Sequence, residues 1–176
     1  MLPVSRLQAL SHSRLAWASL TLGSAMLLAI ALFFQYALDM EPCVMCVYQR
    51  AAVGGVMLAG ALGWLSPRCP ILNNLALLGW LAAAGKGVLL AKEHIHYQFN
   101  PSPFTKCTTV AEFPHWLALD SWLPSVFHPS GDCADISWSW LGFSMPQWLL
   151  GIFIVLAALA VFVILVRLIG AINHRH

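Results

Sequence analysis

The sequence predicts an all-α integral membrane protein built as a bundle of four transmembrane helices. Of the 176 residues, 60% are hydrophobic and only 9% are charged, whereas about a quarter of the residues in an ordinary soluble domain carry charge. The mean hydropathy of +0.76 excludes a disordered chain, because disorder combines low hydrophobicity with high charge. A net charge of +2 provides no basic surface for nucleic acid. We therefore expect one membrane domain over residues 1–176.

Four apolar stretches approach the length of about 20 residues that a helix needs to cross a bilayer. The first contains no charged residue from Leu15 to Leu38, and the last contains none from Ile136 to Val166. The two middle stretches are shorter, so full spans there must include Arg50 and Lys86. We place the spans at about 15–35, 46–65, 71–91 and 146–166, and the outer loops at about 36–45 and 92–145.

The basic residues that flank these spans set the orientation. Arg14 precedes the first span, Arg68 separates the second and third, and Arg167 follows the fourth, whereas all seven acidic residues fall in the other two loops. The positive-inside rule therefore puts both termini in the cytoplasm. The first span is too long for the apolar part of a signal peptide, so we expect it to be retained. The long outer loop is expected to hold a short interfacial helix within Phe113–Leu123, or to be a folded loop.

The eight tryptophans are expected to mark the two membrane interfaces as an aromatic belt. On this topology Trp17, Trp64 and Trp80 lie towards the cytoplasm, and Trp138, Trp140 and Trp148 lie near the outer surface.

Four of the five cysteines lie on the outer side of the membrane by this topology: Cys43, Cys46, Cys107 and Cys133. Thiols that face an oxidising compartment should pair, and two inert structural disulfides are one interpretation. Cys43-Val44-Met45-Cys46, however, is a C-x-x-C motif, a spacing typical of a reactive, easily reduced pair. Zinc is another use of that motif, but no second C-x-x-C or H-x-x-x-H accompanies it, so no metal is expected.

The residues around the C-x-x-C motif favour a reactive site. Pro42 suits the first turn of a helix, so the motif should open the second span, where the helix N-terminus favours a thiolate. Cys46 and Arg50 are then one turn apart on the same face. An arginine at the edge of the hydrocarbon core either reaches out to lipid phosphates or serves a site. A thiolate and a cation at the edge of the hydrocarbon core together suit a site where a lipid-soluble electron acceptor meets a cysteine.

Four separated segments occur in the order Glu41–Arg50, Pro101–Cys107, Pro129–Cys133 and Met145–Phe153. Together they closely resemble the DsbB family, the disulfide bond formation protein B of Gram-negative inner membranes, and the similarity covers nearly the whole chain. Two features depart from the family pattern: Gln49 stands where an acid is expected before the arginine, and Cys69 is additional.

The resemblance implies an electron route. Proteins of this family reoxidise DsbA, a periplasmic thioredoxin-like oxidase, and pass its electrons to a membrane quinone, either ubiquinone or menaquinone. By this resemblance, Cys107 is the sulfur that the partner attacks. Cys133 pairs with Cys107 at rest and with Cys43 during transfer.

The same resemblance implies the quinone-coupled end of the route. Cys43 and Cys46 form the second redox-active disulfide, and Cys46 contacts the quinone as a thiolate. Arg50 stabilises that charge, and His94 stands where the family has a quinone-contacting histidine. Electrons would pass by thiol–disulfide exchange, in which each leaving sulfur becomes the next nucleophile.

Two other functions compete with this interpretation. A quinone-linked enzyme similar to vitamin K epoxide reductase is also a small helical bundle with a C-x-x-C motif, but that family places the motif after the loop cysteines. A non-catalytic four-span scaffold with structural disulfides is the second rival. Full activity after mutation of Cys43 or Cys46 would favour the scaffold.

Overall fold

A computed structural model describes residues 13–66, 69–100, 107 and 110–173. Four long helices account for most of the chain, and short elements fill the segment before the last of them. In chain order the elements are α1 (Arg14–Ala37), α2 (Val44–Leu65), α3 (Pro70–Phe99), a 3₁₀ turn (His115–Leu117), α4 (Leu119–Trp122), α5 (Pro124–Phe127), β1 (Ser139–Trp140), β2 (Phe143–Ser144) and α6 (Met145–Asn173).

The helices α1, α2, α3 and α6 are each long and apolar enough to cross a membrane. The predicted all-α fold with four transmembrane helices is therefore confirmed. The third and fourth helices extend beyond the expected spans, because no glycine or proline interrupts α3 between Val88 and Phe99, or α6 after Gly151 until Gly170. At about 1.5 Å per residue, the 30 residues of α3 are longer than a bilayer requires.

The order of packing places α2 inside the bundle. In the most apolar window of each helix, 56% of α2 is buried but only 11% of α1 and 17% of α6. Close packing joins α1 to α2, α2 to α3, and α3 to α6. Within the described residues α1 and α6 are not closely packed on each other. The bundle is therefore less tightly closed between its first and last long helices.

Two tryptophans form part of the core rather than an interfacial belt. Trp17 and Trp80 are 3% and 8% exposed, and their rings meet edge to face with centroids 6.1 Å apart. Gly63 allows this arrangement, because a Cβ atom there would overlap the Trp17 indole. The belt prediction is thus wrong for Trp17 and Trp80. Gly63 leaves a space on α2 that the Trp17 indole fills, and burial of the two rings outweighs their preference for the membrane interface.

The segment between α3 and α6 is folded against the ends of α1 and α2. The predicted helix within Phe113–Leu123 is broken into a 3₁₀ turn and α4, because Ala118 leaves helical geometry with ψ 69°. α5 follows and presents the buried Phe127 to Val47. Tyr36 at the end of α1 donates its hydroxyl hydrogen to the Ser125 carbonyl at 2.5 Å. These contacts fix α5 above the site described next.

Candidate redox site

The C-x-x-C motif begins α2. Cys43 is the N-cap, and its sulfur accepts the backbone N–H of Cys46 at 3.2 Å. Pro42 lies one residue before the cap, not in the first turn as expected. The two Sγ atoms are 2.7 Å apart and are not bonded. The hydrogen bond with the Cys46 sulfur and then burial raise the pKa of the Cys43 thiol, so the reduced pair holds a proton at Cys43.

Two further cysteines form a disulfide. Cys107 and Cys133 are bonded across a sequence separation of 26. Cys133 is 1% exposed, whereas Cys107 is half-buried. The bond therefore has one accessible sulfur and one inner sulfur.

Ser130 and Gly131, here called the strap, hold the loop that carries Cys133 against the C-x-x-C motif. The amides of Ser130 and Gly131 both donate to the Pro42 carbonyl, at 2.9 and 3.1 Å, and Gly131 forms a parallel bridge with Cys43. A Cβ atom on Gly131 would lie 2.6 Å from the Glu41 carbonyl oxygen, so only glycine fits. Cys133 and Cys43 consequently belong to one buried cluster.

His94 lies beside this cluster on α3. Its Nε2 atom is 3.6 Å from Cys43 Sγ, and its Nδ1 atom is 3.3 Å from Gln49 Nε2. The residue is 3% exposed. The imidazole is thus held next to Cys43, the cysteine that caps the helix.

Arg50 is anchored by three oxygen atoms from two other parts of the chain. Its guanidinium donates to Gln35 Oε1 at 2.6 Å, to the Val126 carbonyl at 2.8 Å and to the Ala31 carbonyl at 3.3 Å. All three acceptors are neutral, so none of them cancels the positive charge. Arg50 is 8% exposed and lines the cavity described next, so it faces the site rather than lipid phosphates.

A cavity of about 100 Å³ joins these groups. Its polar wall holds Cys43, Cys46, Gln49, Arg50 and His94. The apolar wall comes from the two helices that are not closely packed on each other: Leu27, Leu28, Ala31 and Phe34 of α1, and Met145, Pro146 and Leu149 of α6. Gln49 is 2% exposed, and its Oε1 atom has no partner. The cavity thus has an apolar side towards the α1–α6 gap and an unsatisfied acceptor on its polar side.

The structure brings five of the six expected site residues into one neighbourhood and joins the sixth to it by a disulfide. Cys69 lies elsewhere, as the N-cap of α3 in the α2–α3 link. Sequence spacing did not identify Gln35 as the partner of Arg50, or Gln49 as the partner of His94. It also missed that the ligand atoms of Cys43, Cys46 and His94 lie within 4.8 Å of one another, because the histidine is on a different helix.

The chain is similar to a known protein family over most of its length. The family model described as "Disulfide bond formation protein DsbB" matches residues 13–163. Disulfide bond formation protein B of Aeromonas salmonicida is 51% identical over 158 residues, which cover 90% of each chain. The proteins of the same name from Aeromonas hydrophila and an Escherichia coli strain are 47% and 46% identical, with at least 85% of each chain covered. Both the match and the resemblance found in the sequence lead to one conclusion: this chain belongs to the DsbB family of disulfide bond formation proteins.

Proposed function

We propose that the protein reoxidises a periplasmic DsbA-like dithiol oxidase and passes the electrons to a membrane quinone, which generates disulfides de novo. The family supports a disulfide-forming redox role. The single observation that carries the finer proposal is the cavity, because it unites a cysteine pair, an inward-facing cation and an apolar wall at the α1–α6 gap. A lipid-soluble acceptor requires all three features.

The first step takes place at the accessible sulfur. The donor's thiolate attacks Cys107, a mixed disulfide forms, and Cys133 leaves as a thiolate. The donor's second thiol later attacks the mixed disulfide, so the donor leaves oxidised and Cys107 leaves reduced. The half-buried position of Cys107 supports this order, since Cys133 is enclosed.

The second step moves the electron pair inward. The Cys133 thiolate attacks Cys43, the Cys43–Cys46 bond breaks, and Cys46 leaves as a thiolate. The Gly131 strap supports this transfer, because it fixes the Cys133 loop against the backbone beside Cys43. The raised pKa of the Cys43 thiol favours negative charge on Cys46 whenever both thiols are free. When Cys107 is released as a thiolate, it attacks Cys133 and restores the outer disulfide, so Cys43 is free again.

The residues of the cavity fit a quinone at the inner end. Cys43, Cys46 and Arg50 would hold a quinone here, and it would supply an acceptor for two electrons and two protons from the dithiol, which gives one donor disulfide for each quinone reduced. Arg50 would stabilise the Cys46 thiolate and the negative charge that develops on the acceptor's oxygen. Gln49 Oε1, which lacks a partner, can accept an O–H hydrogen from a reduced ring. His94 would hold or release a proton beside Cys43.

The proposal includes a location. The positive-inside rule supports a multi-pass protein of the bacterial inner membrane with both termini in the cytoplasm and the four redox cysteines on the periplasmic side. The oxidising environment of the periplasm is consistent with the Cys107–Cys133 disulfide.

The test uses purified full-length protein in detergent, under anaerobic conditions, with a reduced thioredoxin-fold donor. With the donor in large excess, loss of donor thiols beyond what the protein's own disulfides can oxidise should require added ubiquinone or menaquinone, and this continued loss should stop in the Cys46→Ser variant. A matched Cys69→Ser variant should behave like the unmodified protein. Continued donor oxidation without quinone would refute the quinone acceptor. Full activity after loss of Cys46 would refute the proposed route and favour a scaffold role.

A further inference from the structure

Three side chains of the candidate redox site have the composition of a metal centre. The Sγ atoms of Cys43 and Cys46 and the Nε2 atom of His94 all lie within 4.8 Å of one another. Two thiolates and one imidazole with a free fourth position are a donor set that zinc accepts in open sites. Thiolates also select other thiophilic cations such as Cd²⁺.

The distances suit a tetrahedral cation in the reduced state. With bonds of about 2.3 Å to sulfur and 2.0 Å to nitrogen, such a centre separates sulfur from nitrogen by about 3.5 Å. The observed distance from Cys43 Sγ to His94 Nε2 is 3.6 Å. The two sulfurs, now 2.7 Å apart, must open by about 1 Å, because the tetrahedral centre requires about 3.8 Å between them. Cys46 lines the cavity, which leaves room for that movement.

Gln49 provides an independent reason to assign a ligand to His94. A metal-bound histidine almost always donates its other ring N–H to an oxygen atom. Gln49 lies 3.3 Å from His94 Nδ1, and its buried Oε1 atom has no partner. A half-turn of the amide places that oxygen on Nδ1–H. Because the proton of the neutral ring is then on Nδ1, Nε2 has none, and its lone pair is directed at the two sulfurs.

We propose that the reduced Cys43–Cys46 pair and His94 form a binding site for one thiophilic divalent cation, of which Zn²⁺ is the natural candidate. Binding replaces the two thiol protons with the cation, and both protons are released to solvent. No electron is transferred. The inference depends on these three side chains and does not require the proposed quinone acceptor.

The site would act as a block on the redox cycle. A cation held by both sulfurs prevents them from forming a disulfide, and it occupies the polar wall of the cavity. The oxidised pair has no thiolate to offer, so it would not bind. Metal binding would therefore stop the protein only after its electrons have reached the inner pair.

The experiment titrates Cd²⁺ into reduced, full-length Cys69→Ser protein under anaerobic conditions and follows the ultraviolet thiolate-to-cadmium charge-transfer band. Cys69 is replaced to remove an unrelated thiol, and its side chain makes no capping hydrogen bond. One equivalent should bind, and prior oxidation of the protein should abolish binding. A further Cys107→Ser/Cys133→Ser change should leave this site intact.

Ligand variants separate this centre from adventitious binding to a dithiol. Cys43→Ser and Cys46→Ser should each abolish the band. His94→Ala should weaken the affinity by at least about tenfold, and Gln49→Leu, which keeps all three ligands, should weaken it by about 10 to 100-fold. As a second measurement, bound Cd²⁺ should protect Cys46 from an alkylating reagent. The circular dichroism spectrum checks that each variant is folded. Unchanged affinity in folded His94→Ala, or binding that depends on Cys107 and Cys133, would overturn the proposal.

Discussion

His94 Nε2 lies 3.6 Å from Cys43 Sγ, although the two residues are 51 positions apart in the chain. The contact joins α3 to the N-cap of α2 and places an imidazole beside one sulfur of the C-x-x-C motif. It also explains why a histidine is buried at this end of the bundle: both of its ring nitrogens have polar neighbours, as buried polar groups require.

The first prediction concerns the five cysteines. Serine replacement of Cys43, Cys46, Cys107 or Cys133 should each abolish steady-state donor oxidation, because every one of them exchanges a disulfide in the proposed route. Cys69→Ser should retain nearly full activity, since Cys69 lies in the α2–α3 link away from the cavity. The assay measures loss of donor thiols with quinone in excess. An inactive but folded Cys69→Ser protein would contradict the assignment.

The second prediction concerns Arg50. Arg50→Ala should raise the apparent KM for quinone strongly and lower turnover, because the site loses the charge. Arg50→Lys should be milder, although a single ammonium group cannot replace a guanidinium that bonds to three oxygens. Loss of one hydrogen bond from a charged group costs about 1.5 to 3 kcal/mol, which predicts about a tenfold or larger rise in quinone KM.

The control for Arg50 is the KM for the reduced donor in the same variants. The donor meets Cys107 rather than the cavity, so this KM should change little. If the quinone KM were constant while the donor KM rose strongly, Arg50 would serve docking or folding instead.

The third prediction concerns the strap beside Cys43. Gly131→Ala places a Cβ atom 2.6 Å from the Glu41 carbonyl oxygen, so the two backbones must separate. A displacement of about 1 Å in a reacting pair can cost about 100-fold in rate, and we expect turnover to fall by about 10 to 100-fold. The Cys107–Cys133 disulfide should still form, as thiol counts will report. Gly151→Ala, where a Cβ atom meets nothing within 4 Å, is the matched control and should be active.

The sequence predicted much of the fold because its signals there were local. Charge-free runs located four helices, and Pro42 indicated that the C-x-x-C motif begins the second one, although the proline itself lies before the N-cap. Trp17 and Trp80 were misassigned, because pairing across the bundle depends on the small Gly63 of another helix. The helix expected in the outer segment is interrupted at Ala118, where the chain folds back against α1 and α2.

The sequence identified the site residues that belong to motifs, and the family resemblance added His94. The residues that position them could not be predicted. Neither Gln35 nor Val126 belongs to a motif, yet both accept hydrogen bonds from Arg50. Their roles arise from the docking of α5 against the end of α1, which is a tertiary contact. Likewise, the third potential metal ligand is on α3, so no spacing within the C-x-x-C region could indicate it.

The fourth prediction concerns topology. Single cysteines introduced as Ser139→Cys and His174→Cys should differ in intact cells: a membrane-impermeant thiol reagent should label the first, in β1, and not the second, near the C-terminus. Both should be labelled after the membrane is permeabilised, which shows that each thiol is reactive. Labelling of the C-terminal site in intact cells would reverse the orientation that the charges predict.

The central claim is that electrons from the donor leave the protein through the Cys43–Cys46 pair onto a quinone. The most direct measurement follows quinone absorbance and donor thiols together, without oxygen, in purified protein. With the donor in excess, the account predicts one quinone reduced for every donor disulfide formed in the steady state. In Cys46→Ser it predicts no quinone reduction and at most one donor disulfide per protein. Donor oxidation with no matching loss of quinone absorbance would contradict the account.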